Sequence, residues 1–210
     1  MMLIEKNSLV LLQGDSVTDA QRDYADDTNM GFGYANILTA MMKALHPEAN
    51  IRFLNRGISG NRVRDLSSRW EADCLSIKPD WLSILIGIND CWRRYDSSDP
   101  TTAQAFYEEY RRLLTRTKES LPDTKIILMD PFVLHINPER ASWREDLDPK
   151  IQAVRALASE FKTMYIPLDG MFAAASIQSA PDVWAADGVH PTQAGSALIA
   201  SAWLRAVDAM

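Results

Sequence analysis

Residues 8–16 read SLVLLQGDS: the aliphatic run Leu9–Leu12 passes through Gln13 into Gly14-Asp15-Ser16. Four aliphatic residues in a row are too few for a buried helix, and they do not alternate with polar residues as a half-exposed strand would. With Ser8 and Gln13 at the ends, they read instead as a strand over 8–13 covered on both faces, the pattern of a parallel sheet. The same pattern recurs down the chain. IRFLN (51–55) leads into Gly57, WLSILI (81–86) into Gly87, KIILM (125–129) into Pro131, and MYIPL (164–168) is the last short run. Amphipathic stretches at 33–45, 62–77, 101–120, 144–162 and 191–206 separate or follow these runs, the last starting at Pro191, a favoured first-turn residue. Strand and helix in alternation predict a three-layer α/β/α sandwich on a five-stranded parallel sheet of flavodoxin-like order. With no repeat, low-complexity tract or Gly/Ser linker, residues 1–210 are expected to form one domain. In such a fold the ligand crevice lies beyond the carboxyl ends of the strands, so the chemistry should sit at the junctions after each run.

The bulk numbers agree with a globular chain: 210 residues, 47% hydrophobic and 24% charged, with a formal net charge of −6. The acidic balance argues against nucleic acid as a partner. No window approaches the ~18 uninterrupted apolar residues of a membrane span. Glu5 and Lys6 interrupt the N-terminus before its first apolar run, which is unlike an export signal, so a cytoplasmic location is expected. Cys74 and Cys91 have neither metal-ligand spacing nor a disulfide framework, and both are expected to be reduced, with Cys74 in the core.

Four junctions carry groups suited to acyl transfer. Gly14-Asp15-Ser16 follows the first strand and could be no more than a capped turn. Asn55-Arg56-Gly57-Ile58-Ser59-Gly60-Asn61 follows the second, where a glycine leaves its N–H open to a ligand. Gly87-Ile88-Asn89-Asp90 follows the third, and Asn89 could turn its amide into the crevice or cap a helix. Near the C-terminus stands Asp187-Gly188-Val189-His190-Pro191. An aspartate three residues before a histidine, across a tight turn, can accept from one ring nitrogen and leave the other free as a base. Of the other two histidines, His46 precedes Pro47 at a helix end, and His135 has no acid nearby in sequence.

Taken in order, these four blocks resemble the signature of the SGNH (GDSL-type) hydrolases, and the resemblance spans Gly14 to His190. It implies the family's fold, ester hydrolysis without a cofactor or metal, and a definite set of roles. Ser16 would be the nucleophile, His190 the general base and Asp187 its orienting acid. The oxyanion hole would use the backbone N–H of Ser16, the backbone N–H of Gly60 and the side-chain amide of Asn89. Within the family, NRGISGNRVRDL (55–66), KPDWLSILIGI (78–88) and NDCWRRY (89–95) are most similar to bacterial carbohydrate esterases that deacetylate xylan fragments. That implies a small acetylated sugar as substrate. One departure is Trp184, six residues before His190, with two alanines ahead of Asp187.

Other readings are weaker. An α/β-hydrolase elbow, G-x-S-x-G, fails at Asn61, which leaves Ser59 a decoy. Neither GxGxxG nor a P-loop occurs. A lipase, lysophospholipase or thioesterase of the same family would act on longer acyl chains, and a non-catalytic carbohydrate-binding domain would lack an activated serine. Trp92, directly after the Asn89 block, is a candidate sugar-stacking residue. Trp70, Trp81, Trp143 and Trp203 are read as core or as contacts between copies in a homo-oligomer. Arg64 and Arg93 are expected in surface ion pairs.

Overall fold

The computed structural model describes residues 2–210. Its sheet contains β1 (Leu9–Gly14), β2 (Arg52–Asn55), β3 (Trp81–Leu85), β4 (Lys125–Met129) and β5 (Met164–Ile166). All pair in parallel, in the order β2-β1-β3-β4-β5. This is the flavodoxin-like arrangement. The chain winds from β1 to one edge at β2, crosses back to β3, and then steps to the other edge. The reversal places a crevice between the carboxyl ends of β1 and β3, where Gly14 pairs with Leu85.

The side chains of β1 explain why its sequence is apolar throughout. Val10 and Leu12 join a core shared with α2 (Tyr34–Leu45) and α9 (Gln193–Ala206), in which Leu38 and Trp203 are fully buried. Leu11 points the other way, to Trp70, Phe106 and Leu157 on α3 (Val63–Trp70), α5 (Ala103–Ser120) and α7 (Arg144–Phe161). The buried indoles find partners inside the core: Trp203 Nε1 donates to Ser83 Oγ at 3.0 Å and Trp70 Nε1 to Thr117 Oγ1 at 2.9 Å. Trp81 and Trp143 are buried too, as are the free cysteines Cys74 and Cys91.

Several boundaries differ from the sequence reading. The last helix starts at Gln193, not Pro191. Pro191 is taken into a bridge with Ala185, and the Thr192 hydroxyl caps the helix by accepting from Gly195 N–H at 3.2 Å. The stretch 62–77 is α-helical only to Trp70 and continues as a π-helical turn over Glu71–Leu75. Four further helices stand where only junctions or loops were read: α1 (Ser16–Asp19), α4 (Ile88–Asp96), α6 (Pro138–Ser142) and α8 (Leu168–Gln178). No helix among the described residues is long and apolar enough to cross a membrane.

Candidate active site

Ser16 opens α1 directly after β1. Asp15 caps that helix by accepting from Val17 N–H at 3.0 Å, which fixes the backbone on which the serine stands. Burial pushes the Asp15 carboxyl up to about 7, against the pull of the Val17 N–H and of His190. The Ser16 hydroxyl lies 2.9 Å from His190 Nε2, although 174 positions separate the two residues. On the other side of the ring, His190 Nδ1 lies 2.6 Å from Asp187 Oδ2. The second carboxylate oxygen, Oδ1, accepts from the backbone N–H of Val189 at 2.9 Å and of His190 at 2.7 Å.

The electrostatics of this pair follow from those bonds. The Asp187 hydrogen bond is the main cause raising the His190 pKa, and it outweighs the opposing effect of burial. Partial burial alone would raise Asp187. The bonds from the His190 ring and from the two backbone N–H groups overcome it and hold the carboxyl well below the usual carboxylate range.

The second junction is bound tightly to the first. Asn55 Nδ2 donates to Thr18 O at 2.8 Å, and Asn55 Oδ1 accepts from Gly57 N–H at 2.9 Å. Ile58 N–H reaches Gly14 O at 3.1 Å. Asp19, the last residue of α1, accepts from Ser59 N–H at 3.0 Å and from the Ser59 hydroxyl. Ser59 is thus held by a carboxylate, and among the described residues its side chain makes no hydrogen bond to a basic group. Gly60 follows with φ of +83°, and a Cβ there would meet nothing within 4 Å. The third junction closes on the same loop. Asn89 Nδ2 donates to Asn61 O at 3.1 Å, and Asp90 Oδ2 accepts from Val63 N–H at 3.1 Å.

A cleft of about 410 Å³ opens over the serine, with Ser16, Gln21, Phe32, Ser59, His190 and Pro191 in its lining. Trp92 is half-buried, its ring 5.9 Å from that of His190. Two features around the site escaped the sequence reading. Phe32 is 69% exposed at the cleft, held there by backbone bonds to Ala20 O and from Gln193 Nε2. Arg93 is not only a surface ion-pair residue: besides Asp96 it reaches Asn89 Oδ1 at 3.3 Å. Arg64 pairs with Asp99 at 2.9 Å, as expected. His135 is exposed, and His46 Nε2 is 2.9 Å from Ala209 O, far from this cleft in its contacts.

The model of the GDSL-like Lipase/Acylhydrolase family matches residues 12–198, and the chain belongs to that family. It is a carboxylic ester hydrolase. An acetylxylan esterase of Geobacillus stearothermophilus is 37% identical over 98% of this chain and 96% of its own. The crystal structure of that organism's acetylxylan esterase Axe2 superposes with a TM-score of 0.88 at 34% identity, over 98% of this chain and 96% of that one. A structure from Parabacteroides merdae described as a GDSL-like lipase gives 0.95 at 36% identity over the whole of both chains. Replacing a serine, an aspartate or a histidine of Axe2 by alanine yields what are described as catalytic mutants of that enzyme.

Proposed function

We propose that the protein removes acetyl groups from small carbohydrates such as xylo-oligosaccharides, with Ser16, His190 and Asp187 as its catalytic triad. The observation that carries the reading is the unbroken hydrogen-bonded series from Ser16 Oγ to His190 Nε2 (2.9 Å) and from His190 Nδ1 to Asp187 (2.6 Å). Serine is a weak nucleophile at its own pKa and needs such a base. His190 takes the Ser16 proton as the oxygen attacks the ester carbonyl, and returns it to the departing sugar hydroxyl. A water then repeats the cycle on the acetyl-enzyme and releases acetate. Asp187 stays ionised throughout, holding the tautomer and stabilising the imidazolium.

The charge that develops on the carbonyl oxygen would be met by the N–H groups of Ser16 and Gly60 and by Asn89. The Asn89 amide carries two hydrogens and spends only one on Asn61 O, which leaves the other for the oxyanion. One such donor is worth about 3 kcal/mol in the transition state. Trp92 and Phe32 would supply apolar faces for the sugar. The site draws Ser16 from the first strand junction and His190 from just ahead of the last helix, which supports treating residues 1–210 as one catalytic domain.

The test is a substrate panel on wild type and Ser16→Ala, with fluorophosphonate labelling of both. Acetylated xylosides and nitrophenyl acetate should be hydrolysed, rates should fall toward octanoyl esters, and Ser16→Ala should lose both labelling and turnover. Faster octanoyl than acetyl hydrolysis, or untouched acetylated xylosides, would remove the carbohydrate reading and leave an esterase of longer acyl chains. Labelling that persists in Ser16→Ala would remove the triad.

A further inference from the structure

We propose that Arg140 is a positioning residue that locks the Asp187–His190 turn and the Trp92 indole into one rigid unit. The inference rests on reading His190 as the general base. Arg140 lies on the short helix α6, in the segment after β4. Its Nε–H donates to the main-chain carbonyl of Asp187 at 3.0 Å. The next carbonyl of the turn, Gly188 O, accepts from Leu134 N–H at 2.8 Å in the same segment. Two successive peptide oxygens of the triad turn are therefore held from one side. The turn also lies flat on the arginine stem: a Cβ on Gly188 would come within 2.8 Å of Leu134 O and 3.3 Å of Arg140 Cγ.

The same guanidinium packs against two indoles, with its Cζ 4.0 Å from the Trp143 ring centroid and 4.8 Å from that of Trp92. The two rings are 5.1 Å apart, and the Arg140 side chain is only 13% exposed. Its ion-pair partner Glu139 is 66% exposed, so that pair is well solvated and does little to cancel the cation inside. A planar, permanently charged fork with a fixed Nε–H can stack and donate at once, which an ammonium on a flexible stem cannot.

The position has an electrostatic consequence as well. The charged groups that act most strongly on the His190 ring are Asp187, Asp15 and Arg140. The two carboxyl groups favour the imidazolium, whereas Arg140 opposes it. A base has to be neutral to accept the Ser16 proton, so Arg140 extends its working range to lower pH.

Two variants separate these effects. Arg140→Met keeps an apolar stem and loses both charge and donor, whereas Arg140→Lys keeps the charge alone. The measurements are the pH profile of kcat/KM with an aryl acetate and, independently of activity, the NMR titration of the His190 ring proton. In wild type the two midpoints should coincide. In Arg140→Met both should rise by about half a pH unit, and in Arg140→Lys both should stay. In each variant kcat should fall about tenfold through lost alignment. If the two midpoints disagree in wild type, the His190 reading fails and takes this one with it. If they agree, and Arg140→Met leaves midpoint and kcat at wild-type values, the Arg140 inference alone is overturned. Should Arg140→Met not fold, a wild-type kcat in Arg140→Lys overturns it equally.

Discussion

Asp19 and Ser59, 40 positions apart, are joined twice: the Asp19 carboxylate accepts both the backbone N–H and the hydroxyl of Ser59. One residue ends the helix that Ser16 begins, and the other immediately precedes Gly60. The bond pair therefore sets the distance between nucleophile and proposed oxyanion donor. Asp19 also accepts from the Tyr24 hydroxyl at 2.7 Å and from Arg22 N–H at 3.1 Å, so its carboxylate gathers four donors.

Asp19→Asn should lower kcat for an aryl acetate by about tenfold to a hundredfold, with KM nearly unchanged, because misalignment is felt in the transition state. Ser59→Ala, which keeps the N–H bond, should cost only a few-fold. Steady-state kinetics beside a melting curve decide it. A lower melting temperature with wild-type kcat in both variants would reduce the pair to a structural brace.

Asp187→Asn tests the orienting acid without emptying the site. The amide cannot accept two backbone N–H bonds and a ring N–H in the same pattern, so the imidazole would settle in the wrong tautomer. A loss of kcat on the order of 10⁴ is expected, with the far-ultraviolet circular dichroism unchanged. Loss of less than about tenfold would show that His190 needs no carboxylate partner.

Asp90 makes the stability of the fold depend on pH. Desolvation pushes its carboxyl up to about 7, against the Val63 N–H and the charges of Lys150 and Arg62. Its Oδ1 is buried without a partner. A raised folded-state pKa means the folded protein binds this proton more tightly than the unfolded chain. The associated stability is full below about 4 and is lost as pH rises toward about 7. Asp90→Asn, which keeps an acceptor for Val63 N–H, should therefore flatten the decline of melting temperature between about pH 4 and about pH 7. A decline as steep in the variant as in wild type would show that Asp90 is ionised and balanced in the fold.

Phe32 in the cleft lining and Trp92 beside the His190 ring give a prediction about substrate. Trp92→Ala and Phe32→Ala should each raise KM for acetylated xylosides about fivefold, equivalent to about 1 kcal/mol of lost apolar contact. Nitrophenyl acetate, which is smaller, should respond less. Equal effects on both substrates would mean that the rings shape the cleft and do not hold the sugar.

What could be read in the sequence was what each segment states locally. The strands were legible because residues buried on both faces leave an unbroken apolar run, and β4 matches its expected bounds of 125–129. Their ends slipped where the run shades into polar residues, as with 8–13 against Leu9–Gly14. Helix α8 was not legible: it buries only Leu168 and Phe172, too narrow a stripe to impose a period. Ser16, Asn89, Asp187 and His190 stand in short motifs at element ends, so their candidacy was visible. Phe32 and Arg140 were not, because each acquires its place only when a distant segment folds against it. Arg140 meets Asp187 across 47 positions.

Gly60 and Gly188 share the same φ of +83°, yet they demand different things of a replacement. At Gly60 the space beside the α-carbon is empty, so the obstacle is one of handedness alone. Asparagine, which tolerates this mirror-image region better than other L-residues, should be accepted there at modest cost. At Gly188 handedness is joined by bulk, since the Leu134 carbonyl and the Arg140 stem already fill the place a side chain would take. The loop carrying the proposed oxyanion donor can thus vary in composition, whereas the turn beneath the histidine is closed to any residue but glycine.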